Sequence, residues 1–203
     1  MNEGIISTQL GLPGKPSIAE ELMISRDIEL ARYAESKIHF TGISSAKSVD
    51  LIRQAKNAGV SVTCSVTPYH LCFTDEDLVN YDTNLKVNPP IRTREDQLAL
   101  KQGLMDGIID CIATHHLPQD VDHKIVEFEY AQFGMLGLET SFGIIMTYFP
   151  ELGLEKTIEV LCHQPRSIFD LNTVSIIENG QASLSLFLPD ETWTVNELHS
   201  KSK

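Results

Sequence analysis

Apolar positions along the chain switch between two periods, and the switches mark its elements. Ser17-Ile-Ala-Glu20 has the form of a capping box, and Ile24, Ile28 and Ala31 follow at helical spacing, which predicts a helix over 17–34. Lys37–Ser44 is short and β-branched, as a strand would be. Ala46–Ala58 returns to the helical period, with Leu51, Ala55 and Ala58 on one face and Gly59 as the stop. Val60–Thr67 alternates and is rich in valine and threonine, so it reads as a second strand. Thr93 is placed to cap a helix through Met105 that carries Leu100 and Leu104 and ends at Gly107. A third apolar run begins at Asp110. Helices and strands in strict alternation are the pattern of βα units around a parallel sheet, so the expected fold class is α/β.

The stretches between are as telling. Gly4–Pro16 holds three glycines and two prolines and reads as loop. Pro68–Arg92 is too long for a bare connection in a compact domain, which marks it for function or for a small structure of its own. Beyond an acidic loop, Gly134-Met-Leu-Gly-Leu-Glu-Thr140 leads into an apolar helix ending near Phe149-Pro150, followed by a helix over Glu155–Cys162 and a turn over Arg166–Asp170. From Val174 the period changes again. Val174, Ile176, Leu184, Leu186 and Leu188 alternate around Asn179-Gly180, which predicts a pair of tail strands outside the main sheet.

Composition narrows the function classes. With 16 basic against 28 acidic residues the formal charge is −12, which argues against a nucleic-acid partner. No apolar run approaches the roughly 20 residues of a membrane helix, and Met1-Asn-Glu-Gly does not begin a secretory signal. The four cysteines, Cys64, Cys72, Cys111 and Cys162, form no C-x-x-C pair; reduced structural thiols in a cytoplasm are expected.

The chemistry is concentrated in Asp110-Cys-Ile-Ala-Thr-His-His-Leu-Pro-Gln119, an apolar run that ends in two histidines, a proline and an amide. In an α/β barrel the loops beyond the strand ends build the site, so this edge belongs to it. The same stretch resembles the eighth barrel strand of class I dihydroorotases, zinc amidohydrolases of pyrimidine synthesis. Other stretches carry the resemblance further: Met1-Asn-Glu-Gly with Ser7–Gly14 is similar to the segment after the fifth strand, Ile38–Ser45 to the sixth, and Val66–Leu71 to the end of the seventh. Lys86-Val-Asn-Pro-Pro-Ile-Arg92 resembles the loop that holds substrate, and Phe133–Thr140 the loop beyond the eighth strand. The resemblance implies part of a (β/α)8 barrel, strands six to eight with their helices, over 1–172, and the start of a small accessory β-sandwich over 173–203.

By the same resemblance, Asn88 hydrogen-bonds the pyrimidine ring, Phe133 and Gly134 approach it through backbone groups, and Gln119 stands at a substrate-binding position where the family has histidine. From the residues alone, Asn88 also suits a turn before Pro89-Pro90, and Gly134 a loop position with positive φ. Two departures bear on the chemistry. At Gly42 the family has a zinc-binding histidine, and glycine has no donor to offer. At His115 it has an aspartate that binds metal and moves the proton; an imidazole can act as ligand or base there but removes a negative charge. Zinc is thus the family's cofactor, while the metal position at Gly42 is empty of ligand. Among the other histidines, His39 should face the opposite side of its strand from Gly42, His115 and His116 should point to opposite faces, and His70 should satisfy backbone groups near Pro68. His123, His163 and His199 lie in separate segments.

The family's sequence extends beyond both ends of this one, so the resemblance implies an internal fragment with open sheet edges, poorly stable unless it pairs with itself or with the missing half. The expected function is that of a dihydroorotase-like hydrolase interconverting dihydroorotate and N-carbamoyl-aspartate, inactive as these 203 residues alone. The alternative is a non-catalytic homologue acting as structural partner of aspartate transcarbamoylase.

Overall fold

The computed structural model describes every residue except 174, 181, 189–190, 197–199 and 202–203. Its centre is a parallel sheet of three strands, β1 (Ile38–Phe40), β2 (Val62–Val66) and β3 (Cys111–Ile112), in that order. Ile38 pairs with Val62 and Phe40 with Cys64; Ser65 pairs with Cys111 and Val66 with Ile112. The parallel order needs crossover helices, and the chain supplies them as α3 (Ala46–Asn57) and α5 (Arg94–Met105), preceded by α2 (Ile18–Tyr33). Ile52, Val49, Leu100, Leu104 and Ile109 are buried with Val62, Cys64 and Val66 in one core, as the helical and alternating periods require. Lys56 of α3 bonds both carboxylate oxygens of Asp110 at 2.7 and 2.8 Å, and Asp110 accepts from Cys64 N at 2.8 Å, which ties helix to sheet beneath the core.

Three expectations for the first half of the chain need correction. The opening is not all loop: Ile5–Leu10 forms a helix, α1, because Ser7 Oγ and Gly4 satisfy each other's groups at its start and Gly11, at φ 66°, closes its end. The Ser17–Glu20 box does not close on itself. Ser17 makes no side-chain cap, and Glu20 turns instead toward the N-terminus of α3, where it accepts from Ser44 N at 2.9 Å, Ser45 N at 3.2 Å, Ser48 Oγ at 2.6 Å and Ser44 Oγ. The first strand stops at Phe40, short of Ser44, since Gly42 at φ 69° leaves the extended region.

The long connection has its own structure. It contains α4 (Pro68–Cys72), a two-turn 3-10 helix at Asp75–Asn80, a single 3-10 turn at Thr83–Leu85, and a second small core of Tyr69, Leu78, Leu85, Val87 and Ile91 with Phe128. Beyond the sheet, α6 (Ser141–Tyr148) leads to one helical run, α7 (Leu154–Ile158), a π turn (Glu159–His163) and α8 (Gln164–Ile168). The widened turn ends two residues before Pro165, which has no N–H to give and whose ring crowds the preceding turn. In the tail, the turn at Asn179-Gly180 forms through Gly180 N to Ile177 O at 3.1 Å. The described tail residues form no strand; Ile176 and Leu186 are 87% and 99% exposed, and Val174 lies outside the described residues.

Candidate functional site

Because the three strands are parallel, their C-terminal ends open on one rim, and the long connection folds over it. Arg92 fastens this cover. It is buried and donates to Ser44 Oγ at 3.1 Å, Asn2 Oδ1 at 3.0 Å and Lys15 O at 2.7 Å, with Glu20 3.9 Å away, while Asn2 Nδ2 continues to Asp75 at 2.8 Å. One guanidinium thus joins the opening segment, α2 and the end of the connection.

At the end of β2, His70 is fully buried. Its Nε2 donates to Pro90 O at 3.1 Å and its Nδ1 pairs with Thr67 Oγ1 at 2.7 Å. Burial holds its pKa down at about 4, so it is neutral, with both nitrogens in use. The expected backbone partner proves to be Pro90, across the connection, rather than a group beside Pro68.

At the end of β3, His115 has φ 43°, and its ring lies against Gly42, where Nε2 is 2.9 Å from Thr41 Oγ1. A methyl group added at Gly42 would overlap the ring, standing 2.9 Å from Nε2 and 3.0 Å from Nδ1 and nearer still to Cε1. The imidazole therefore fills the space that a side chain at position 42 would need. Partial burial lowers the His115 pKa, favouring the neutral ring. His116 points away, and its Nδ1 accepts from Gly137 N at 3.1 Å and Leu138 N at 3.3 Å. His39 faces the helix side, bonded to Thr63 Oγ1 at 2.8 Å with Phe169 edge-on at 5.4 Å.

The remaining candidate residues meet on the same rim. Gln119 Nε2 donates to Phe133 O at 2.9 Å, and Gly134 N donates to Lys86 O at 2.9 Å. Gly134, at φ 141°, leaves no room for a Cβ beside Leu117 O. Lys124 Nζ bonds Gly134 O at 2.7 Å, and Lys15 Nζ bonds Asn88 Oδ1 at 2.9 Å. Most of the backbone groups of 133–134 that the resemblance assigns to a ligand are therefore already engaged within the protein. Lys15 and Lys124 at this rim escaped the sequence reading, since nothing local distinguishes them from surface lysines, and Lys86 was read only as the start of its loop.

The chain matches dihydroorotases along its entire length: 45% identity to that of Caldanaerobacter subterraneus subsp. tengcongensis and 40% to that of Syntrophus aciditrophicus, each over 100% of this chain and 48% of the relative. The chain is related to the dihydroorotases. It spans about half the length of these curated relatives. Among solved structures, the L-hydantoinase (dihydropyrimidinase) of Arthrobacter aurescens superposes with a TM-score of 0.73 at 31% identity, over 77% of this chain and 36% of that one. The inactive dihydroorotase-like domain of the Chaetomium thermophilum CAD-like multifunctional protein gives 0.55 at 25% identity, over 72% and 40%. No family model matches the chain. The fold is thus part of an amidohydrolase barrel, with three of its parallel strands.

A zinc ion does not fit the donors of this dihydroorotase relative. Among the described residues no three His, Cys, Asp or Glu side chains stand together as a metal would need. Gly42 gives nothing, His70 is committed at both nitrogens, and His39 and His116 face elsewhere. His199 lies outside the described residues. Among the described residues the cysteines do not complete such a group either, and burial raises the Cys64 thiol strongly and the Cys72 and Cys111 thiols to about 11.

Proposed function

We propose that this chain supplies the ring-holding side of a dihydroorotase-type site of pyrimidine synthesis, in a cytoplasmic protein acting on dihydroorotate and N-carbamoyl-aspartate, and that alone it does not open the ring. The observation that carries this reading is the 45% identity over the whole chain to a dihydroorotase. Residues 1–172 are its barrel part and 173–203 the start of an accessory β domain. Asn88 and Gln119 offer amides to the ring, and the Phe133 carbonyl, which keeps a second lone pair, lies beside them. His115 stands where a proton would move, but its ring is directed into the space beside Gly42. The chain is incubated with dihydroorotate, with and without zinc, and ring opening is followed by NMR while bound metal is measured by elemental analysis. Neither turnover nor stoichiometric zinc is expected; turnover rising in proportion to added zinc overturns the reading.

A second reading has its own support. The interlocked Gly42 and His115, together with a structural neighbour that is an inactive dihydroorotase-like domain, favour a non-catalytic homologue that partners aspartate transcarbamoylase. Sedimentation of the chain mixed with aspartate transcarbamoylase separates the two: a joint boundary supports the partner, and independent boundaries, or a boundary of self-paired chains, count against it.

A further inference from the structure

A cavity of about 730 Å³ lies between α6 and described residues of the tail, and it shares no lining residue with the strand-end rim. Its size is that of a small-molecule site. Phe142 and Met146 wall it on the helix side and Phe187, Leu188 and Trp193 on the tail side, with the Phe142 and Phe187 rings 4.7 Å apart where the two sides meet. Only Ser141 and Ile145 of α6 are buried, although its other face is just as apolar. A helix apolar all round normally has protein on both sides; here the second side is the cavity.

Two features say what the cavity would take. Gly143 stands inside α6, where glycine weakens a helix, yet its φ is not left-handed and a Cβ built there meets no atom within 4 Å. Neither backbone nor packing requires glycine, and the missing side chain gives depth to the cavity that Gly143 lines. The charge of the walls is one-sided. Among the described residues the charged side chains lining the cavity are Glu139 and Glu191, and neither pairs with a lysine, arginine or histidine. Glu139 Oε1 accepts from a backbone group, Lys201 N, at 2.8 Å. Lys101 reaches the end of α6, but it donates to Tyr148 O at 2.8 Å and does not line the cavity. Aromatic faces and unpaired carboxylates together favour a positive head, while the aliphatic walls take an apolar body. An anion would meet two like charges, and a neutral compound would gain from the walls alone. We propose that the cavity between α6 and the tail binds an amphiphilic organic cation, an amine or quaternary ammonium carrying an apolar chain. This site is separate from the cyclic-amide reading and stands or falls without it.

Trp193 is the chain's single tryptophan, so its emission reports on this cavity. The full chain is titrated with octyltrimethylammonium, octan-1-ol and octanesulfonate, which share one alkyl chain and differ in the charge of the head, all below micelle formation. The cation should give a saturable blue shift and bind about tenfold more tightly than the sulfonate, with the alcohol between and the gap shrinking as salt rises. Glu139→Gln combined with Glu191→Gln should bring the cation down to the affinity of octan-1-ol and leave octan-1-ol unchanged. Gly143→Leu should weaken all three by about tenfold or more while the urea midpoint holds or rises, since leucine is the better helix former. An unsaturable response to all three ligands overturns the site. So does sulfonate binding as tight as that of the cation, a cation preference that survives loss of both carboxylates, or wild-type affinity in Gly143→Leu.

Discussion

Two strand ends on the same rim have opposite characters. The end of β2 is closed: His70 is buried, neutral and bonded at both nitrogens to Thr67 and Pro90. The end of β3 is open: His115 is half-buried, has a left-handed backbone at φ 43°, and is held by Thr41 and by contact with Gly42. One histidine holds the cover of the sheet in place, and the other occupies room that a different side chain could claim. Residue type alone does not distinguish a structural imidazole from a chemical one; the number of its nitrogens already committed does.

The sharpest way to break this comparison is His70→Ala. Removing the ring should cost about 3 kcal/mol, from the cavity and from the unsatisfied Pro90 carbonyl, as read from urea unfolding at neutral pH. The same experiment carries a pH signature. The folded pKa is near 4 against an ordinary 6.5, so stability is full above about pH 6.5 and falls as the pH drops toward 4. On the order of 3 kcal/mol should be lost across that window in wild type, and the slope should flatten in His70→Ala. An unchanged slope would show that His70 is not the buried group that titrates.

Next in size is Gly42→Ala, which must put a methyl group into the His115 ring at a φ that favours glycine. A loss of about 2 kcal/mol is expected. His115→Ala alone should cost less than about 1 kcal/mol, and the double variant should lose less than the two single losses added together. Strict additivity would mean the two positions do not compete for one space. Smallest is Gln119→Ala, which removes one bond to Phe133 O and should shift the unfolding midpoint by about 0.5 kcal/mol.

Much of this was legible in the sequence. The helices over 18–33, 46–57 and 94–105 and the three strands fall where the two periods put them, because local spacing decides which face of an element is apolar. Asn88, Gln119, Phe133 and Gly134, picked from separate segments, lie along one rim. The α1 helix was hidden because glycines at both ends looked like loop, although Gly4 and Gly11 act as its boundaries. Glu20 misled for a related reason: a carboxylate three residues after a serine can close a box, but several donors at the start of α3 offer it better partners.

By itself the sequence determined the order of elements, the apolar faces that form the core, and the kinship of the whole chain with dihydroorotases. The periods and motifs that carry these are read within a few residues of one another. Only the tertiary structure decided that His115 fills the room beside Gly42, and that Lys15 meets Asn88 across 73 residues of chain. Each is a contact between strand ends and loops brought together by parallel pairing, and no local pattern encodes which side chains will meet there.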